Sequence, residues 1–127
     1  MIELRIQLRV DADTRIGPGK ISLLEAIARA GSISAAAREL EMTYRRAWEL
    51  IDHMNKAFGQ PLVVGHTGSA GGASLTALGS DVVRRFRLVE ELARESAASH
   101  IAALDAAILT PGSVAASDAD SQDDDLD

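Results

Sequence analysis

Thr43-Tyr44-Arg45-Arg46, followed by Glu49, places two guanidinium groups, a phenol and a carboxylate within two helical turns. Arginine carries a planar fork of donors that pairs bidentately with guanine O6 and N7 or grips a phosphate, and glutamate can accept from a cytosine amine. That is base- and phosphate-reading chemistry, provided a helix carries these residues and meets a major groove by its N-terminal end. The stretch from Gly31 to Phe58 supplies such a helix. Ser34 can cap a first helix through its hydroxyl, and Ala35, Ala36 and Ala37 favour helix while letting a second helix cross closely. The first helix reaches Leu40, Glu41-Met42 is the turn, and Thr43 caps the second helix. This is the layout of a helix-turn-helix. The competing reading is an αα-hairpin whose alanines only pack.

At 100° per residue, the inward face of the second helix collects Ala47, Leu50, Ile51, Met54 and Phe58, and the opposite face carries Arg45, Glu49, Asp52 and Lys56. Tyr44 and Trp48 lie on one flank, Arg46 and His53 on the other. Thr43, Tyr44, Arg45, Arg46 and Glu49 are therefore the groove-facing candidates, with Lys56 and, further along, His66 as outlying DNA contacts. The plainer reading of Glu49, Asp52 and Lys56 is a solvated face with Arg45–Glu49 and Asp52–Lys56 pairs at i,i+4. Trp48 is expected to pack under the N-terminal segment or a partner subunit.

The elements around this pair must position it. Met1–Val10 alternates Ile2, Leu4, Ile6, Leu8 and Val10 with Glu3, Arg5, Gln7 and Arg9, the period of a strand. Asp11–Gly19 reads as a loop, and Lys20–Ala30 as a helix with Ile21, Leu24, Ile27 and Ala28 inward and Gly31 as its C-cap. After the stop Gly59-Gln60-Pro61, Leu62–Val64 and Ala73–Leu75 are short strands around GHTGSAGG. A hairpin directly after a recognition helix is a wing. No Lys or Arg lies between Val63 and Thr76, so a hairpin that touches nothing is the competing reading. Thr76 caps a long helix to about Ile108. Its stripe of Leu78, Val82, Phe86, Val89, Ala93, Ala97, Ile101, Leu104 and Ile108 is longer than a small domain can cover. Two copies would cover each other, which makes Val82, Phe86, Val89, Ala93, Ala97 and Ile101 the dimerisation candidates. Glu95–His100 is where a kink or a second helix would begin.

Composition narrows the function classes. The chain has 127 residues, a formal charge of −6 and no cysteine, so disulfides, thiolate zinc sites and cysteine nucleophiles are out. His53, His66 and His100 lack ligand spacing, and no serine has the sharp-turn context of a nucleophile. No run is long and apolar enough for a bilayer, and a cytoplasmic protein is the expectation. Six of the 19 acidic residues fall in the last ten positions, leaving 13 to balance 13 Lys and Arg in the body. A neutral body with local arginines is compatible with DNA, with less electrostatic help than a basic one. The acidic stretch from Thr110 is expected to be disordered.

The order of these features resembles a known family. ISLLEAIARAGSISAAARELEMTYRRAWELIDHMN after an N-terminal strand, then GQPLV, a Gly-rich wing and SLTALG, is similar to the DNA-binding half of ModE-type molybdate-responsive regulators over roughly 1–105. The most specific piece is Tyr44-Arg45-Arg46-Ala47-Trp48 with Ile51-Asp52 and Met54-Asn55. LysR-type regulators are similar through GSISAAA, Gly59-Gln60-Pro61-Leu62 and Leu75-Thr76, but do not begin with such a strand. The resemblance implies phosphate-side contacts at Ser32 and Ser34, groove reading by Thr43 to Arg46, and dimer contact through the last helix. Full-length members continue into molybdate-binding β-barrel modules, for which no strand-rich stretch is visible here, so molybdate binding and other cofactors are not expected.

The resulting expectation is a mainly α fold with small β (α+β): a winged helix-turn-helix over 1–75, a dimerisation helix over 76–109 and an acidic tail over 110–127. Its function is expected to be sequence-specific binding of double-stranded DNA by a homodimeric transcriptional regulator, with molybdate transport or molybdoenzyme genes as targets. The alternative is a winged-helix interaction module that pairs with a full-length relative or an effector protein and binds DNA weakly. Neither reading involves catalysis, a metal or a membrane.

Overall fold

The computed structural model describes residues 1–66 and 71–108; the expected acidic tail and the middle of the Gly-rich loop lie outside them. The elements are β1 (Leu8–Arg9), β2 (Arg15–Ile16), α1 (Pro18–Ala30), α2 (Ile33–Glu39), α3 (Tyr44–Phe58), β3 (Val63–Gly65), β4 (Ala73–Leu75) and α4 (Ala77–Ile108). Three helices, two antiparallel hairpins and a long last helix make a winged helix-turn-helix. Two compact units divide the chain, one from Arg5 to Leu92 and one pairing Met1–Leu4 with the helix from Ala93.

In the larger unit, α1 opens on Pro18, whose missing N–H would have had no helical partner anyway. It closes on Gly31, left-handed at φ 77, whose N–H donates to the Ile27 carbonyl. Strands β2 and β4 and helices α2 and α3 all pack on α1. It is therefore buried on more than one stripe: Leu23 and Ala26 join Ile21, Leu24 and Ile27 in the core, while Ala28, expected inward, is exposed.

The cap of α2 is Ser32, not Ser34. Ser32 has the extended backbone a cap needs (φ −154, ψ 151), and its Oγ accepts from the Ala35 N–H at 3.1 Å; Ser34 already lies inside the helix. The end of α2 is a Schellman closure, with Met42 N–H donating to Ala37 O at 2.9 Å and Glu41 N–H to Arg38 O at 3.1 Å. Glu41 takes the left-handed position at φ 58 that glycine usually fills. Ala36 and Ala37 are buried, so their small size permits the close crossing of α2 and α3. Thr43 caps α3, its Oγ1 accepting from the Arg46 N–H at 3.0 Å, and Gly59 ends it at φ 70. Ala47, Ile51 and Met54 are buried along α3, with Leu50 and Phe58 half-buried beside them.

Wing strands β3 and β4 pair Val63 with Leu75, Val64 with Ser74 and Gly65 with Ala73. The wing is tied to α1, since Ala73 N–H donates to the Gly31 carbonyl at 2.9 Å. Gly72 is required there: at φ 107, a Cβ would also stand 2.9 Å from that same carbonyl oxygen. Helix α4 begins at Thr76, whose Oγ1 accepts from Gly79 N–H and donates to the Pro61 carbonyl. Farther along, Arg87 binds α4 to α1 by donating twice to Glu25, and it also donates to Glu90, which is 3% exposed. These bonds hold the Glu25 carboxyl below the usual carboxylate range.

The N-terminal strand is much shorter than its alternation predicts. Only Leu8 and Arg9 pair, with Ile16 and Arg15, and β2 falls inside the expected loop. Ile2, Leu4 and Ile6 are half-buried as the alternation predicts, but Leu8 and Val10 are exposed; ladder length depends on the partner, and β2 offers two residues. In the smaller unit, Met1–Leu4 lies over Arg94, Ala98, Ile101, Ala102 and Asp105, and the Ile2 N–H donates to Asp105 Oδ1 at 2.8 Å. Helix α4 continues without interruption through Glu95–His100, the stretch whose polar break predicts a kink or a second helix.

Candidate nucleic-acid interface

The first turn of α3 projects from the larger unit with most of its polar groups in solvent. Arg45, its side chain 89% exposed, points away from the core, and its Nε lies 3.7 Å from Glu49 Oε2. Arg46 Nη1 lies 3.4 Å from the other oxygen of the same carboxylate. Glu49 thus holds both guanidinium groups loosely, in geometry that a stronger or better-aligned acceptor would replace.

Each flank of this turn has its own character. On one side, Ser32, Ser34, Tyr44 and Gly72 line a small hollow of hydroxyls and open backbone next to the wing. Tyr44 is exposed and meets Trp48 edge-on, with ring centroids 6.4 Å apart. Trp48 is 40% exposed, so within its own chain it does not pack under the N-terminal strand: its ring meets Tyr44 at the helix surface, where a partner subunit could still cover it. On the other side, Arg46 lines a cleft of about 490 Å³ with Arg5, Gln7, Arg15, Lys20, Met42 and Leu50.

The structure therefore groups Ser32, Ser34, Thr43, Tyr44, Arg45, Arg46 and Glu49 at one end of α3. It separates Lys56, which sits in the last turn and pairs with Asp52 at 2.9 Å. His66 follows β3 in the wing, its Nε2 2.9 Å from Ser74 Oγ and its N–H donating to Gly72 O. Of the dimerisation candidates, Phe86 is 3% exposed in the core of its own chain, which corrects its place in an uncovered stripe, and Val82 is half-buried against that core. Val89 faces solvent with Leu88 and Leu92, while Ala93, Ala97 and Ile101 are half-buried in the smaller unit. Arg5, Arg15 and Lys20 escaped the sequence reading. The only local sign was the polar half of the N-terminal alternation, Arg5-Gln7-Arg9.

Among the described residues, no three His, Cys, Asp or Glu side chains are placed to hold a metal ion, and no helix is long and apolar enough to cross a membrane.

Residues 19–80 match the bacterial regulatory helix-turn-helix of the LysR family. The molybdenum transport protein ModE of Azotobacter vinelandii is 41% identical over 88 residues, covering 68% of this chain and 33% of that protein. The molybdenum-pterin-binding protein MopA of Rhodobacter capsulatus is 42% identical over 78 residues, 60% of this chain and 29% of its own length. The DNA-binding transcriptional dual regulator ModE of Escherichia coli K12 is 34% identical over 98 residues, 76% of this chain and 36% of its own. The chain spans about a third of the length of these relatives. Among solved structures, the DNA-binding domain of CbnR in its DNA complex superposes with a TM-score of 0.54 at 27% identity, covering 68% of this chain and 95% of that domain. ArgP of Mycobacterium tuberculosis, at 24% identity and a TM-score of 0.51, covers 72% of this chain and 31% of its own and shares the fold.

Proposed function

We propose that this chain, whose residues 19–80 match the LysR-family regulatory helix-turn-helix and which is similar to ModE and Mop proteins, is a sequence-specific transcriptional regulator. In this reading it works in the cytoplasm as a homodimer, and its target genes serve molybdate uptake or use. The observation that carries the reading is the first turn of α3: Arg45 stands clear of the protein on a capped helix end, where the helix dipole also favours an anion. Hydroxyls on one flank and cations on the other suit the two backbone strands that border a major groove. The regulatory names of the relatives support the target genes. The exposed side chains of Leu88, Val89 and Leu92 on α4 support a second copy as partner.

Duplexes selected by the protein from a random pool, compared with scrambled ones, test the reading. Arg45→Ala should cost about 1–3 kcal/mol on the selected duplex and relax one base position per half-site. Arg46→Ala should weaken both duplexes alike and flatten the salt dependence by about one ion. A second reading, a winged-helix interaction module, is favoured by the wing, which has no Lys or Arg between Val63 and Thr76. Unchanged affinity in both variants would transfer the assignment to that reading.

A further inference from the structure

The cleft on the Arg46 side gathers cations from four parts of the chain: Arg5 before β1, Arg15 in β2, Lys20 in the first turn of α1 and Arg46 in the first turn of α3. No carboxylate lines it. Among the described residues, neither Arg5 nor Arg15 is in an ion pair, and Arg46 shares only the loose contact with Glu49. Lys20 Nζ donates to the Arg15 carbonyl at 2.6 Å, which fixes the ammonium at the cleft wall. Burial lowers the Lys20 pKa, and the charge of Arg46 lowers it further. In the hairpin, Arg9 stands directly across from Arg15, a like-charge pair that costs stability without a counter-charge. This concentration of unbalanced positive charge calls for an anion, and its continuity with α3 through Arg46 says which one.

A helix lying in a major groove has a phosphate strand on each side, and the groove is about 12 Å wide. The hydroxyl-lined hollow with Tyr44 occupies one flank of α3 and the cationic cleft occupies the other. We propose that the cleft between the N-terminal hairpin, the start of α1 and the first turn of α3 seats the DNA phosphodiester strand on the Arg46 side. Arg5, Arg15 and Lys20 thereby supply the backbone charge that the wing lacks. This rests on the DNA-binding reading above and adds Arg5, Arg15 and Lys20, outside the α2–α3 pair and the wing, to the contact surface. The chemistry recognised is the phosphate ester, with no base contact, so the cleft raises affinity without setting sequence.

The test is the full chain carrying Arg5→Gln, Arg15→Gln and Lys20→Gln, measured by fluorescence anisotropy on selected and scrambled duplexes across a potassium chloride series. Three lost phosphate contacts should make the log–log salt slope shallower by about 2 to 3, and affinity should fall by about tenfold or more on both duplexes with their ratio kept. Ethylation interference should lose phosphates on one strand flanking each half-site. Inorganic phosphate should compete no better than chloride of equal ionic strength; selective competition would make the cleft a free-anion site and overturn the proposal. A wild-type slope in the triple variant would also overturn it, while loss of discrimination in Arg45→Ala would leave groove reading intact. Wild-type protein that binds neither duplex would remove both readings. If the triple variant does not fold, Arg5→Gln/Arg15→Gln, which changes exposed side chains alone, should still flatten the slope by nearly 2.

Discussion

Replacing Arg87 with methionine removes the donors that tie α4 to α1 while keeping most of the apolar stem. In the native protein, Nε and Nη2 donate to the two oxygens of Glu25 at 3.0 and 2.8 Å, and Nη1 donates to Glu90 at 2.8 Å. The Arg87 and Glu25 side chains are 36% and 32% exposed, so solvent screens that arm, whereas the Glu90 carboxylate is out of water. Breaking a fully buried pair costs roughly 3–5 kcal/mol and an exposed pair under about 1 kcal/mol. Arg87 itself is partly exposed in both arms, so neither is a fully buried pair and the expected loss falls between these limits, about 2–3 kcal/mol, a drop in Tm of about 8–20 °C for a domain of this size. Arg87→Lys keeps the charge but loses the two-pronged geometry and should recover less than half of the loss. Urea unfolding of the wild type, Arg87→Met, Glu25→Gln and the double variant, compared at equal m, isolates the coupling. The pH dependence has a fixed sign. Arg87 depresses the folded pKa of Glu25, so this stabilisation is present above the unfolded value near ~4.3 and is lost as pH falls through the lower folded one. The gap between wild type and Arg87→Met should accordingly narrow below about pH 4. If Glu25→Gln costs the same with and without Arg87, the bridge is not a source of stability and the reasoning fails.

Three further outcomes are expected. Ser32→Ala should lose about 1 kcal/mol in denaturant unfolding because it deletes the α2 cap, while Ser34→Ala should leave stability nearly unchanged. Gly72→Ala should cost more than Gly59→Ala in thermal unfolding: both sites have positive φ, worth about 1–2 kcal/mol, but only at Gly72 does the added Cβ press on the Gly31 carbonyl. If the exposed part of α4 joins two copies, Val89→Asp/Leu92→Asp should sediment as a monomer at concentrations where the wild type is a dimer; a monomeric wild type at micromolar concentration would refute the seam.

The elements carrying local stop and start signals were readable from the residues alone. Gly31 and Gly59 end their helices in the left-handed conformation, Thr43 caps α3, Thr76 starts α4, and Ala73–Leu75 is β4. What stayed hidden depended on tertiary geometry. Two serines near the start of α2 both carry an oxygen that could accept as a cap, and the backbone leaving Gly31 chooses Ser32. The α4 stripe continues at spacings of three and four past the point where its own core ends, so Phe86 and Val89 look equivalent although one is buried and the other faces solvent. Arg5 and Arg46 belong to different elements, and only folding brings them to one cleft.

Trp48 is the chain's one tryptophan, and it stands on the helix that carries Arg45 and Arg46, with the Tyr44 ring against its edge. Its indole is partly in water, one turn from the proposed contact surface. The protein consequently contains its own optical reporter. Docking of a duplex over the start of α3 should alter the solvent around this single emitter and the energy it receives from Tyr44. Association can then be followed in the unlabelled native chain, by a signal that originates at the surface in question.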